Sequence, residues 1–394
     1  VTVEEFAAGL PADQLPAYVY DLAPLRAHAA AVRAALPEGV ELYYAAKANP
    51  DSAVLEALQG AVDGYEVSSA GELAHVREVL PDARLAFGGP GKTPAEVRAG
   101  VAAGVHRWHV ESLQELYHLN NELAGARKQQ DVLLRVNVPV SDGSLDSVAL
   151  AMGGRPSPFG VDPADVDQCL MLLAGPVGWE MRFRGIHAHL GSGLSAAAQL
   201  AVCEQIVDWS VAHANRYGLQ VSEVNVGGGM AVDYADPANL FDWTEFGAGL
   251  GKLLARHPGL RLRIEPGRAL TAYCGYYVTD VLDVKTSQGE AFAVVRGGTH
   301  HLRTPATKGH SQPFTVVPVE LWPYTWDLPR AAAQGRISVT GQLCTPKDVL
   351  AAGVPVEQLR VGDRLAFAMA GAYAWNISHH EFLMHPRPTF HYLD

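Results

Sequence analysis

Between residues 42 and 264 the chain repeats one pattern, a short apolar run followed by a stretch with helical spacing. The apolar runs fall at 42–46, 64–67, 85–88, 107–110, 132–136, 183–189, 224–226 and 262–264. Helical patterns separate most of them, at 70–80, 93–102, 112–124 and 196–217. Apolar runs without alternation suit strands buried on both faces. Eight such units over roughly 240 residues predict an α/β fold built on a (β/α)8 TIM barrel. A doubly wound open sheet alternates in the same way, and periodicity alone does not separate the two.

From about residue 276 the rhythm changes. Segments 276–284, 291–296, 313–319, 336–340 and 364–369 read as strands joined by loops, with no long helix between them. They predict a second, all-β domain, sandwich or barrel-like. A chain of 394 residues is too long for one small core. The opening strand at 16–22 precedes the first helix, at 24–36, and is assigned to the β domain. The expected division is 24–275 for the barrel and 1–23 plus 276–394 for a discontinuous β domain. Segment 141–158, rich in Gly, Ser and Pro, is the candidate for a mobile cover.

Charge and cysteine usage narrow the function classes. The formal net charge is −12 and no basic run occurs, which argues against nucleic acid or an anionic membrane as partner. No apolar run approaches a membrane span, and residues 1–6 carry neither the basic nor the apolar region of a secretory leader. Cys169, Cys203, Cys274 and Cys344 are scattered without metal-like pairing, so a cytoplasmic protein with no bound metal is expected.

In a barrel, chemistry gathers where the strands end at their carboxyl side. Those ends carry Lys47, Glu66-Val67-Ser68-Ser69, Arg135-Val136-Asn137, His187-Ala188-His189, Gly227-Gly228-Gly229 and Glu265-Pro266-Gly267-Arg268. Each has a bland reading alone: a lysine snorkelling to solvent, core histidines, a glycine turn, a paired carboxylate. Together they suit one ligand. A lysine amine condenses with an aldehyde, and glycines followed by a helix offer backbone N–H groups to a phosphate. A carboxylate at Glu265 holds a pyridine nitrogen protonated, and His187 or His189 stacks on the ring. The set describes a pyridoxal 5'-phosphate site.

On these motifs the chain resembles the alanine-racemase-like, fold-type-III decarboxylases that use pyridoxal phosphate, the diaminopimelate and ornithine decarboxylase family. The resemblance runs over nearly the whole chain and adds Gly341-Gln342-Leu343-Cys344 and Gly371-Ala372-Tyr373. It implies that Lys47 carries the coenzyme, His189 stacks on its ring and Glu265 pairs with the ring nitrogen. It implies a phosphate held by Ser192, Gly228, Gly229, Gly267, Arg268 and Tyr373, with Arg135 beside the coenzyme. Cys344 is then the acid that protonates the product, reaching in from the partner subunit of a homodimer with shared active sites.

The pattern departs from the family at the substrate's far end. Diaminopimelate and ornithine decarboxylases follow the cysteine with an acid, whereas Thr345 follows Cys344 here. Losing a carboxylate opposite a buried ammonium costs about 3–5 kcal/mol, which disfavours a free distal amine. Cys344-Thr345-Pro346 and Ser378-His379-His380 resemble the branch that decarboxylates citryl-diamine amino acids in carboxylate-siderophore assembly. A citryl group needs cations and donors, and His300, His301, Arg303, Lys308, His310, His379 and His380 are the candidates. Of these Arg303, His301, His379 and His380, with Thr345, form the expected substrate set. The expected substrate is N-citryl-ornithine or N-citryl-diaminopropionate. The alternatives are diaminopimelate decarboxylation in lysine biosynthesis, a racemase of the same superfamily, and a non-catalytic coenzyme-binding or regulatory homologue.

Overall fold

The computed structural model describes residues 1–140, 150–151, 153–175, 180–322, 324 and 328–394. Most of the expected cover at 141–158 therefore lies outside the described residues. Two compact units emerge, one of Ala27–Ala231 with Leu240–Leu270, the other of Val1–Arg26, Val232–Asn239 and Thr271–Asp394.

In chain order, β1 (Ala17–Asp21) precedes eight barrel strands. These are β2 (Val40–Ala45), β3 (Gly64–Val67), β4 (Leu85–Phe87), β5 (Arg107–Val110), β6 (Gln130–Arg135), β7 (Met181–His187), β8 (Glu223–Asn225) and β9 (Arg261–Ile264). All neighbours are parallel, and β9 pairs back onto β2 to close the barrel, so the sheet is not open. Every residue of β2, β3, β4, β5 and β8 is buried, the burial on both faces expected of runs that do not alternate. The helices start where a serine or threonine can cap them. Ser69, Ser112 and Ser195 each accept a backbone N–H from the first turn of the following helix, and Thr93 forms a capping box with Glu96.

Charge fills the barrel near the amino ends of its strands. Arg263, fully buried, reaches Glu41 at 2.5 Å and Glu223 at 2.8 Å and lies 4.0 Å over the Tyr43 ring. Arg107 pairs with Glu223 at 2.5 Å and Asp131 at 3.2 Å. Removing one member strands the others without solvent. Arg263→Met is expected to destabilise the protein by about 3–5 kcal/mol, read as a shift of the urea unfolding transition, with the coenzyme-binding residues untouched.

The other unit is organised by β10 (Gly275–Ser287), β11 (Glu290–Val295), β12 (Phe314–Val317), β13 (Ala332–Thr340), β14 (Val349–Arg360), β15 (Arg364–Phe367) and β16 (Thr389–Leu393). With β1 they form one eight-stranded sheet, in which β1 lies antiparallel to β10 and parallel to β16. A core of Ala7, Leu10, Leu15, Ala17, Val19, Val278, Val317 and Ala366 fixes the opening helix Val3–Gly9. The Arg364 guanidinium, donating to the carbonyls of Ala7 and Leu10, holds that helix from its far end. Strands β14 and β16 were not expected from the sequence. Among the described residues no helix is long and apolar enough to cross a membrane.

Candidate active site

Within the barrel unit, the carboxyl strand ends gather Lys47, Glu66, His189, Gly227–Gly229 and Glu265. Lys47 lies in the short turn Ala46–Ala48 after β2, and its side chain is 45% exposed. Its amine pairs with the buried Glu66 carboxylate at the end of β3. Ser68 Oγ donates to the other Glu66 oxygen at 2.8 Å. Burial pushes the Glu66 carboxyl up, yet the Lys47 charge and hydrogen bond, Ser68 and Arg135 outweigh it and hold the group low. Glu66 therefore stays ionised and steadies the amine.

His189 follows β7 and is held by the glycine turn after β8. The Gly228 N–H donates to His189 Nδ1 at 3.1 Å, which places the ring's proton on Nε2. Burial, then the Arg135 and Lys47 charges, push this imidazole down to about 3, so the ring is neutral. Only glycine fits the turn. Gly229 has φ +99°, and a Cβ there would stand 2.1 Å from the Gly191 carbonyl oxygen; at Gly228 it would stand 2.5 Å from that of Glu265. Ser192 lies on the strand pair Gly191–Ser192 with Leu150–Ala151, and Arg268 opens the short helix Arg268–Thr271 directly after Gly267.

Glu265 directly follows β9 and is 7% exposed. Burial and the Glu66 charge push its carboxyl up to about 7, against the pull of Lys47, Asn225 and Arg263. Asn225 Nδ2 donates to Glu265 Oε1 at 2.6 Å. Two histidine rings face it, His187 with Nε2 3.7 Å and His109 with Nε2 3.8 Å from its oxygens. Arg135 donates to Glu111 at 2.7 Å, and Glu111 also accepts the N–H groups of Gly89 and Gly160. Glu66, His109, Glu111 and Asn225 had no role in the sequence reading. Their signal was only that each stands at or just past a strand end.

The expected residues of the other unit converge through loops. The Asp348 carboxylate, 2% exposed, accepts Thr299 N at 2.7 Å, Thr299 Oγ1 at 2.8 Å and Leu343 N at 2.8 Å. It thereby clasps the Cys344-Thr345 loop to the His300-His301 loop, with Cys344 exposed. Ser378 Oγ accepts Arg303 N at 3.1 Å, and Thr304 Oγ1 donates to the Tyr373 carbonyl at 2.7 Å, drawing in the third loop. His380 stacks on Trp375 at 3.5 Å. His301 sits in the sheet core, 1% exposed, with Nδ1 bonded to the Tyr277 hydroxyl at 3.0 Å. His310 instead bonds Gln312 at 2.8 Å and lines a separate groove of about 860 Å³ with Tyr234.

The barrel residues fit pyridoxal phosphate. They supply an amine, a buried carboxylate, a neutral imidazole ring, and a glycine turn free of side chains.

Residues 22–272 match the family model described as pyridoxal-dependent decarboxylase, pyridoxal binding domain. The chain is 38% identical over 380 residues to a Staphylococcus aureus relative, covering 95% of this chain and 93% of that one. That relative is a 2-[(L-alanin-3-ylcarbamoyl)methyl]-2-hydroxybutanedioate decarboxylase. Identity to the diaminopimelate decarboxylase of Actinosynnema pretiosum subsp. auranticum is 33% over 385 residues, 94% of this chain and 83% of that one. The fold matches a crystal structure of a diaminopimelate decarboxylase variant from Helicobacter pylori complexed with L-lysine. The TM-score is 0.85 at 21% identity, over 100% of this chain and 94% of that one.

Proposed function

The chain belongs to the pyridoxal-dependent decarboxylase family and works with pyridoxal phosphate; from that premise we propose that it decarboxylates an N-citryl-diamino acid in siderophore biosynthesis. Thr345 carries this reading. The residue beside Cys344 offers a hydroxyl where a substrate with a free distal ammonium needs an acid. The next carboxylate in that loop, Asp348, is buried and already accepts three hydrogen bonds from protein groups. The substrate of the Staphylococcus aureus relative is a hydroxybutanedioate amide of aminoalanine, which supports a carboxylate-rich far end.

When bound, the coenzyme supplies an electron sink for the pair left behind by the departing carboxylate. Lys47 is the attachment point, and Glu66 holds its amine at the barrel mouth. His189 lays its neutral ring against the coenzyme, and Glu265 accepts the hydrogen bond of the ring nitrogen. Ser192, Gly228, Gly229, Gly267, Arg268 and Tyr373 hold the phosphate, with Arg135 beside it. Cys344 of the partner subunit in a homodimer delivers the proton to the product carbon. Arg303, Thr345, His379 and His380 receive the substrate's far end, while His301, 1% exposed and bonded to the Tyr277 hydroxyl through Nδ1, is too buried to reach it directly.

Carbon dioxide release is to be measured side by side for citryl-diaminopropionate, citryl-ornithine, meso-diaminopimelate and ornithine. One of the citryl compounds is expected to lead in kcat/KM by about 100-fold or more, the worth of one buried charge partner. Preference for meso-diaminopimelate rejects the citryl reading and leaves the decarboxylase standing.

A further inference from the structure

Behind the Glu265 carboxylate the barrel wall holds two histidines that the reaction as described does not use. His109, at β5, is 0% exposed, and His187, at the end of β7, is 3% exposed; their ring centroids are 4.2 Å apart. Burial, reinforced by neighbouring positive groups, pushes both imidazoles well down, so each carries one proton.

The hydrogen bonds say where those protons are. Asn225 Oδ1 accepts the Gly227 N–H at 2.9 Å, which fixes the amide and turns both Nδ2 protons the other way. One goes to Glu265 Oε1 at 2.6 Å and the other toward His109 Nε2 at 3.3 Å. His109 accepts there, so its own proton is on Nδ1. His187 Nε2 stands 3.7 Å from Glu265 Oε2, just outside hydrogen-bond reach, and among the described residues neither of its ring nitrogens has a hydrogen-bond partner. A buried N–H without an acceptor is costly, and the carboxylate oxygen left over by Asn225 is the acceptor it faces.

We propose that His187 is a positioning residue for Glu265: its Nε2–H, braced by the His109 ring, serves carboxylate oxygen Oε2 while Asn225 serves Oε1, and the two donors keep the carboxylate anionic toward the coenzyme's ring nitrogen. The groups facing Glu265 are then His187, His109 and Asn225, with Glu66, Lys47 and Arg263 acting by charge. Burial, first, and then the Glu66 charge work against ionisation, and the two donors act against both. His109, His187 and Glu265 also bring their donor atoms within 4.8 Å of one another, as a metal site would. The coenzyme claims the same carboxylate, which favours the hydrogen-bonding role.

The proposal rests on Glu265 pairing with the ring nitrogen, and the test separates the two. Holoenzyme is reconstituted with coenzyme carrying ¹⁵N in the ring, and the ring-nitrogen chemical shift is recorded for wild type, His187→Phe, His187→Leu, His187→Gln and Glu265→Gln. Wild type and His187→Gln, which retains an N–H donor, are expected at the protonated shift. The Phe and Leu variants are expected to move toward the unprotonated shift, with kcat lowered about 10- to 100-fold and KM within about twofold. A protonated shift in whichever of the Phe and Leu variants folds overturns the proposal, as does a Gln variant as impaired as they are, or one equivalent of metal in purified holoenzyme. If Glu265→Gln also leaves the shift unmoved, the pairing itself is wrong. If Glu265→Gln moves it and the His187 variants do not, only the role of His187 fails.

Discussion

Lys47→Ala will release carbon dioxide at least about 10⁴-fold more slowly than wild type, equivalent to about 5.5 kcal/mol in the barrier. The variant removes the amine that pairs with Glu66, and with it the covalent hold on the coenzyme proposed for Lys47. It also leaves the Glu66 carboxylate buried without its cation, so lost stability has to be separated from lost chemistry. Lys47→Arg does this. It keeps a positive charge for Glu66 and offers no amine that condenses with an aldehyde. Both variants are expected to be inactive, and Lys47→Arg is expected to unfold close to wild type. Borohydride reduction of wild type followed by mass spectrometry should place the added mass on the peptide containing Lys47. An active Lys47→Arg enzyme, or a label elsewhere, contradicts the assignment.

Glu265→Ala will cost about 10³- to 10⁴-fold in kcat while leaving a folded protein. The ring nitrogen is useful as an electron sink only while it keeps its proton, and this carboxylate is the group proposed to hold it. The apolar replacement leaves Asn225 Nδ2 and both histidines without the oxygen they surround, so some stability is lost as well. The diagnostic is the split between parameters. An interaction that matters most as charge develops lowers kcat and kcat/KM together, whereas one that only binds substrate raises KM. Turnover near wild type in Glu265→Ala would remove the electronic argument.

The barrel was legible because most of its strand residues are buried on both faces, and such strands are written as short, mostly apolar runs without strict alternation. All eight barrel strands were anticipated to within a few residues. Strand β14 was missed for the opposite reason. It contains Gly353 and Pro355, both poor strand formers, shows no period-two alternation, and lies at the end of the sheet order, where a proline is tolerated. Helix Trp243–Arg256 was not among the helical patterns, since glycines 247, 249 and 251 weaken its helix propensity. At Gly247 a Cβ would lie 1.9 Å from the Ala35 carbonyl oxygen, so the glycine there serves close packing rather than a turn.

In the site, motif residues were legible because the chemistry dictates their type. The residues behind them were not. Nothing in the sequence says that Asn225 turns its amide toward Glu265, because that follows from a hydrogen bond to Gly227 in a turn formed only after the barrel closes. His301 shows the converse. Its type suited an anion, and the fold gives one of its ring nitrogens to a tyrosine in the sheet core.

The Asp348 clasp has a consequence for how such an enzyme changes its diet. A single interior carboxylate fastens the strip bearing Cys344 by gripping the backbone at Leu343, just before the thiol, and leaves the side chain at position 345 out of the grip. Thr345 joins the same turn more lightly, its hydroxyl accepting the Lys347 N–H at 3.3 Å, a bond that an acid at that position can also accept. Swapping Thr345 for an acid is therefore expected to retune selectivity with little movement of the thiol, whereas loosening position 348 unsettles both at once.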